Sequence, residues 1–281
     1  MTRLAARRIG PGALPEVCAR LSERPRENLL LLELAVRLGE AALPGESSSD
    51  LVGVWRGSEL VGVASLRPTL VFDAGIEEEA LEALIDVMEA LPVGLAKSDP
   101  DHVGRLWARV SRRRRHRLWV DRLETALALD PGDARLLVDG SSRVRAARED
   151  DLDPLVFAAR ESLREEDRPD PFAGDVDGFR RWVRGRVPRA RVVEEAGALR
   201  FAGYADVQRP EGWLLQGIYT WPETRRRGLA AVGTSALCQE AFAAGASHVQ
   251  LAVVDGNEGA RRLYEGLGFK PFARLRTLLF T

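Results

Sequence analysis

Two pairs of segments in this 281-residue chain repeat one another, and a duplicated order of elements narrows the choice of fold more than any single motif does. "LAARRIGPGALPEV" (4–17) and "RVRAAREDDLDPLV" (143–156) both read as a short strand of alternating apolar residues, a polar turn and an amphipathic helix. "VGLAKSDPDHVGRLW" (93–107) and "VQLAVVDGNEGARRLY" (249–264) both read as an apolar strand, a turn of Asp, Gly or Asn, and a helix ending in an aromatic residue. With one single-residue gap, Asp101 faces Asn257 and Trp107 faces Tyr264. The pattern is that of a tandem duplication, with its joint near "DPGDARLLVDGSS" (130–142), where Pro, Gly, Asp and Ser break regular structure. The length agrees with two domains at about 150 residues each. The expected domains are 1–138 and 139–281.

The second half carries the clearer signals. A strand at about 143–148 leads to a helix at about 151–164, the acidic loop "REEDRPDPFAG" and a helix around "VDGFRRWVRGRV" (176–187). Three β-rich runs follow in "ARVVEEAGALRFAGYADVQ" and "GWLLQGIYTW", separated by Gly or Pro-Glu-Gly turns. A helix from about Arg226 to Ala244, the buried strand "SHVQLAVV", the glycine-stopped helix "NEGARRLYEGLG" and a last strand "FARLRTLLF" complete it. The fold class is therefore α/β of the α+β kind, two similar domains each with a mixed, mostly antiparallel sheet flanked by helices.

Composition removes several function classes. Basic and acidic residues number 41 and 42, a balance that argues against a general affinity for nucleic acid or membrane. All the basic residues except Lys97 and Lys270 are arginines, the bias of a GC-rich bacterial genome rather than of a binding surface. The run from Arg112 to Arg117, with no aromatic interleaving, reads as a solvated basic face before it reads as an RNA patch. Cys18 and Cys238 lie far apart inside helical patterns and are expected as free buried thiols of a reducing compartment. No apolar run approaches the ~18 residues of a membrane span and the N-terminus lacks a signal-peptide pattern, so a cytoplasmic protein is expected. His102, His116 and His248 show no ligand spacing, and no metal is expected. Neither a Gly-x-Ser-x-Gly elbow nor a P-loop lysine is present.

One stretch stands out, "TRRRGLAAVG" (224–233), at the start of a helical pattern. Thr224 reads as the N-cap, leaving the other first-turn N–H groups to point outward at the positive pole of the helix. Gly228 would let an anion approach the backbone closely, and Arg225, Arg226 and Arg227 would add charge-assisted donors. A pyrophosphate is the ligand of matching size. On this stretch alone, three solvated arginines at a helix end are an equal alternative.

The pattern Arg225-x-x-Gly228-x-Ala230, after a strand ending in Thr-x-Pro, resembles the acetyl-CoA pyrophosphate loop of the GNAT (Gcn5-related) N-acetyltransferase family. Downstream, "VDGNEGARRLYEGLGFKPF" resembles that family's second signature, an asparagine after the next strand and an Ala-x-x-Leu-Tyr helix that closes the cofactor groove. The resemblance covers roughly residues 143–281, and "GIYTWPETRRRGLA" is most similar to the branch that includes glycine N-acyltransferases. A duplicated fold with a worn N-terminal copy is similar to the arrangement in mycothiol synthase.

The resemblance implies acetyl-CoA as co-substrate, held by Ile218, Tyr219 and Thr220 on a splayed strand, by the loop from Arg225 through Gly228 to Leu229 and Ala230, and by Asn257. It implies direct attack by a primary amine of a small molecule or peptide on the thioester. A lysine-like amine costs ~4.6 kcal/mol to deprotonate at pH 7, so a base or a water path must take its proton. Backbone N–H groups at Ile218 to Thr220 would hold the oxyanion, and Tyr264 would stand where the family places the acid that protonates the leaving thiolate. The alternative reading of Tyr264 is a core aromatic packing the last helix, as Trp107 does in the matching place, and Asn257 can cap the helix after it while contacting the cofactor.

The chain departs from the family in "WLLQGIYT", which holds no carboxylate where many members carry a glutamate base. A water held by Gln216 or the backbone, or Glu211 from elsewhere, must then serve. Glu165, Glu166 and Asp167 form an acidic cluster that would attract a cationic acceptor, or else a solvated helix end. In the first half Asp73, Glu77, Glu78 and Glu79 occupy the place of the arginine loop and would repel a pyrophosphate, so that half is expected to be structural or to shape the acceptor cleft. An acyltransferase using a longer acyl-CoA or an amino-acid acceptor, and a non-catalytic acyl-CoA sensor, remain open, as does a homodimer.

Overall fold

The sequence β, α, α, β, β, β, α, β, α, β runs through the chain twice. In the computed structural model, which describes residues 4–38, 48–89, 91, 93–113, 116–137, 143–170, 172 and 174–281, the first pass is β1 (Leu4–Arg8), α1 (Leu14–Leu21), α2 (Leu29–Val36), β2 (Asp50–Arg56), β3 (Glu59–Arg67), β4 (Val71–Phe72), α3 (Glu78–Met88), β5 (Gly94–Ser98), α4 (Pro100–Arg113) and β6 (Leu118–Leu129). The second is β7 (Val144–Ala146), α5 (Leu152–Glu165), α6 (Val176–Arg186), β8 (Ala190–Glu195), β9 (Ala198–Arg209), β10 (Gly212–Thr220), α7 (Leu229–Ala243), β11 (Val249–Val254), α8 (Glu258–Gly266) and β12 (Lys270–Phe280). The joint expected at residues 138 and 139 lies outside the described residues.

Two compact units result, one built from Met1–Ala42, Ser47–Thr125 and Ala273–Thr281, the other from Ala126–Phe272. Strands β6 and β12 are each divided between them. In the first unit β1 to β4 form an antiparallel sheet, and the end of β12 lies antiparallel to β5, with Arg276 opposite Ser98 and Phe280 opposite Gly94. Period-2 alternation along β2 sends Val52 and Val54 to a core with α3 and α4, and Leu51 and Trp55 to a core with α1 and α2. Leu278 and Phe280 are fully buried in the first of these cores.

The sheet of the second unit runs β6-β11-β10-β9-β8-β7, antiparallel from β7 to β10 and parallel between β10 and β11. Helices α5 and α6 cover one face through Leu155, Phe179, Val183, Tyr204 and Tyr219. On the other face α7 and α8 pack through Leu237, Cys238, Leu251, Tyr264 and Phe269. Cys18 and Cys238 are free, and burial raises the Cys238 thiol well above its usual range. Among the described residues, no helix is long and apolar enough to cross a membrane, and no group of three His, Cys, Asp or Glu side chains is placed to hold a metal ion.

The first unit buries a charge. Glu124, 2 % exposed, receives hydrogen bonds from Lys97 Nζ (2.6 Å), Thr277 Oγ1 (2.6 Å) and Arg122 Nε (3.1 Å). Burial pushes its carboxyl up, but Lys97, Thr277 and Arg122 outweigh that and hold it down at about 2. A depressed carboxylate stabilises the fold above its unfolded pKa and loses that contribution as pH falls through the folded one, so the first unit should lose stability between pH 4.5 and about 2. Lys97→Met, which leaves the charge without its main partner, should cost about 3–5 kcal/mol and move the acid transition to higher pH in a denaturation series followed by circular dichroism.

Candidate functional site

Parallel strands β10 and β11 pair only at Trp213 with Val249 and Leu214 with Gln250. Beyond these pairs no register joins the strands among the described residues. Against β9, β10 steps from Gln216 opposite Tyr204 to Tyr219 opposite Ala202, so Gly217 and Ile218 share the single partner Gly203. This is a β-bulge, which bends and twists the strand that carries it. Gly217 has φ +58, a conformation glycine accepts without penalty, and it lies beyond the last pair between β10 and β11. Ile218, Tyr219 and Thr220, the residues expected to face the thioester, therefore lie on the diverging segment.

Divergence leads straight into the arginine loop. Helix α7 begins at Leu229, three residues later than expected, because Arg226 (φ +63) and Gly228 (φ +80) both adopt the left-handed conformation. Thr224 is not the N-cap. It sits in a short turn, Pro222–Thr224, where its hydroxyl donates to the Trp221 carbonyl at 3.0 Å, and Gly228 takes the cap position instead. The first bond of the helix runs from Val232 N to Gly228 O. That leaves the N–H groups of Leu229, Ala230 and Ala231 without helical acceptors at the positive end of the dipole. Nothing lies within 4 Å of the position a Gly228 side chain would start from, so an anion can reach this backbone.

The arginines divide their work. Arg225 donates from Nε to the Thr220 carbonyl at 2.9 Å and binds both oxygens of Glu165, the second at 2.8 Å. Arg227 pairs with Glu195 at 2.9 Å. Arg226 is exposed, with no side-chain partner among the described residues. Arg225 and Arg227 thus brace the loop between β10 and β8, and Arg226 is the side chain whose charge stays free for a ligand.

Tyr264 on α8 is buried, edge-on to Phe269 at 5.7 Å. Burial, with Cys238 nearby, raises its hydroxyl far above the usual phenol range, so it carries its proton at any neutral pH. Asn257 caps α8, its side-chain oxygen accepting from Ala260 N at 3.1 Å. In the first unit the matching cap is Asp99, which accepts from the N–H groups of Asp101 and His102. Counted from these caps, the residue equivalent to Tyr264 is the fully buried Leu106; Asp101 lies two positions and Trp107 one position beyond the true correspondence.

Gln216 is half-buried on β10 and lies directly opposite Tyr204. Glu165 is committed to Arg225 and also accepts from the Tyr219 hydroxyl at 3.5 Å, which together with burial raises that phenol's pKa. Glu166 is exposed and paired with Arg168 at 3.5 Å. Glu211 is held by Arg209 at the β9–β10 turn, the opposite end of β10 from Thr220. Sequence reasoning missed a polar group on the α5–α6 face: Arg186, Tyr204 and Asp206, with the Arg186 Nε to Asp206 Oδ1 at 3.1 Å and its guanidinium 4.0 Å over the Tyr204 ring. The signal was an unusual Tyr and Asp inside the otherwise apolar run "FAGYADV".

The corresponding loop of the first unit is filled by its own side chain. Asp73 is 1 % exposed, accepts from Gly75 N at 2.8 Å and is bound by Arg20 and Asn28. Beside it, Glu77 and Glu78 are engaged by Arg56 and Arg105.

Residues 155–269 match the model of the acetyltransferase (GNAT) family. The second unit is a GNAT domain. Solved structures resemble the whole chain: a Drosophila protein (14 % identity, 98 % of each chain covered, TM-score 0.73), a GCN5-related N-acetyltransferase from Sphaerobacter thermophilus (15 %, 100 % of this chain and 96 % of that one, 0.58) and a tandem GNAT protein from the clavulanic acid biosynthesis pathway (13 %, 99 % and 98 %, 0.57). At these identities the likeness is one of fold, and the fold it gives is the tandem GNAT arrangement. No curated protein matches the chain.

Gly228→Glu tests the loop. Its side chain starts in open space, so the GNAT domain should fold at a cost of about 1 kcal/mol for the left-handed backbone. Its carboxylate would compete for the free N–H groups, and affinity for coenzyme A measured by calorimetry should fall by more than about tenfold. Unchanged affinity would remove the loop from the cofactor site.

Proposed function

We propose that the chain is an acetyl-CoA-dependent N-acetyltransferase whose second unit, the GNAT domain, carries the site. The observation that carries the reading is the opening between β10 and β11, which begins after Leu214 and ends at the free N–H groups of Leu229 to Ala231. An extended thioester with a pyrophosphate at one end has the polarity of that path: amide and carbonyl groups beside unpaired strand backbone, anion at a helix N-terminus.

In this reading Gly228, Leu229, Ala230 and Arg226 hold the pyrophosphate, and Asn257 lines the far wall of the opening while capping α8. The N–H groups at Ile218 to Thr220 receive the carbonyl oxygen. A neutral primary amine attacks the thioester carbon, its N–H groups hydrogen-bonded on the Gln216 side, and its excess proton passes to water. The carbon–sulfur bond then breaks and the sulfur takes a proton from the Tyr264 hydroxyl, which regains one from the water that received the amine's proton, since burial keeps this phenol protonated. The acceptor is a small-molecule or peptide amine entering from the α5–α6 face. Because Glu165 is neutralised by Arg225, the acidic cluster gives little attraction for a cationic acceptor at that point.

Calorimetric titration with acetyl-CoA, coenzyme A and longer acyl-CoAs, followed by a panel of primary amines, tests the proposal. One acetyl-CoA site per chain and turnover with an amine are expected; preference for a longer acyl group would make the chain an acyltransferase of that kind, and binding without turnover on any amine would make it a sensor. In the active protein Tyr264→Phe should lower kcat by about 100-fold while leaving acetyl-CoA affinity within about twofold. Equal turnover would return Tyr264 to the core alone.

A further inference from the structure

Strands β9 and β10 slip register twice, and one side-chain group connects the two slips. Between Leu214 opposite Val207 and Leu215 opposite Ala205, Asp206 of β9 is left without a partner on β10. Between Gln216 and Tyr219, Gly217 and Ile218 share Gly203. Arg186, the last residue of α6 and 7 % exposed, grips the first slip: Nε donates to Asp206 Oδ1 at 3.1 Å and a terminal nitrogen donates to Oδ2. Its guanidinium lies 4.0 Å over the Tyr204 ring and 4.8 Å from the Trp182 ring centroid. The Tyr204 ring in turn lies against the second slip. A methyl group added to Gly217 would sit 2.9 Å from Tyr204 Cδ2 and 3.4 Å from Arg186 Nη2.

A buried arginine–carboxylate pair adds little net stability over apolar residues of the same volume, but it fixes geometry, because a bidentate fork has one arrangement. The ring and the guanidinium both lie against Gly217 and pass that fixed geometry to the bulge. We propose that Arg186, Asp206 and Tyr204 are positioning residues that set the β10 bulge, and through it the aim of the Ile218 and Tyr219 N–H groups at the thioester carbonyl. This rests on the acetyl-CoA reading above. It assigns the acyl-recognition half of the site to a clamp on the α5–α6 face, separate from the loop that binds the pyrophosphate.

Separation of the two halves supplies the test. Coenzyme A engages the loop and the strand backbone but has no acyl carbonyl to meet the N–H groups at the bulge; acetyl-CoA engages all three. Arg186→Met and Asp206→Asn should leave coenzyme A affinity within about twofold and weaken acetyl-CoA by about tenfold, the worth of one hydrogen bond. With carbonyl-labelled acetyl-CoA, the infrared stretch should shift to lower frequency in the wild-type protein and return toward its value in water in the variants. A structural defect alone would weaken both ligands together and leave the stretch of the bound fraction shifted. Asp206→Asn keeps the volume of the side chain and serves if Arg186→Met does not fold. A folded variant that binds acetyl-CoA with wild-type affinity and a wild-type stretch overturns the clamp, whereas a wild-type protein that binds neither ligand overturns the cofactor reading and the clamp with it.

Discussion

Two parallel strands that stay paired for only two residues leave backbone donors and acceptors facing a gap in the middle of a sheet, where protein backbone ordinarily finds a partner. The bulge at Gly217 and Ile218 follows on the unpaired side of β10. Two left-handed residues, Arg226 and Gly228, then delay the helix until Leu229 and leave its first N–H groups at the end of the gap. Everything proposed for the site follows from these backbone choices, and the side chains around it hold them in place.

Charge contributes less directly than the run of three arginines implies. Of the three, Arg225 and Arg227 spend their charge on Glu165 and Glu195, and one guanidinium is left with no partner among the described residues. An anion here would be bound by oriented N–H groups and a helix dipole more than by net positive charge. The first unit shows the same economy with the opposite outcome. Its loop contains an anion of its own, Asp73, already bound to a backbone N–H, to Arg20 and to Asn28. A loop so satisfied has no use for a pyrophosphate, which is a fuller account than repulsion from Glu77 to Glu79, since Glu77 and Glu78 are paired.

The order of elements in both halves was legible from periodicity and turn chemistry, because each strand and helix buries one face and announces it by spacing of two or 3.6 residues. The asparagine cap of α8 was legible for the same local reason. The start of α7 was not: Thr224 has the right chemistry for a cap, but Arg226 and Gly228 both take positive φ and postpone the helix, and an arginine gives no sign of that. Pairing Asp101 with Asn257 put the repeat two residues out of step at that point, since Asp99 does the capping and the proline at the head of α4 hides the shift. Arg186, Asp206 and Tyr204 could not be joined from sequence at all. Arg186 and Asp206 are brought together by a register slip on β9, and a slip is decided by the neighbouring strand.

Interleaving of the chain gives a reason for a copy without a cofactor loop to persist. Leu278 and Phe280 are fully buried in the core of the first unit, β5 pairs with the end of β12, and the buried Glu124 is closed off by Thr277. Leu127 and Leu129, at the end of β6, belong in the same way to the core of the second unit beneath β11 and α8. Each unit therefore completes its core with residues from the other half of the sequence, so neither half can be discarded without opening a core at the cost of several large buried side chains. A worn domain in this arrangement is kept by packing, and its loop is free to differ from that of its counterpart.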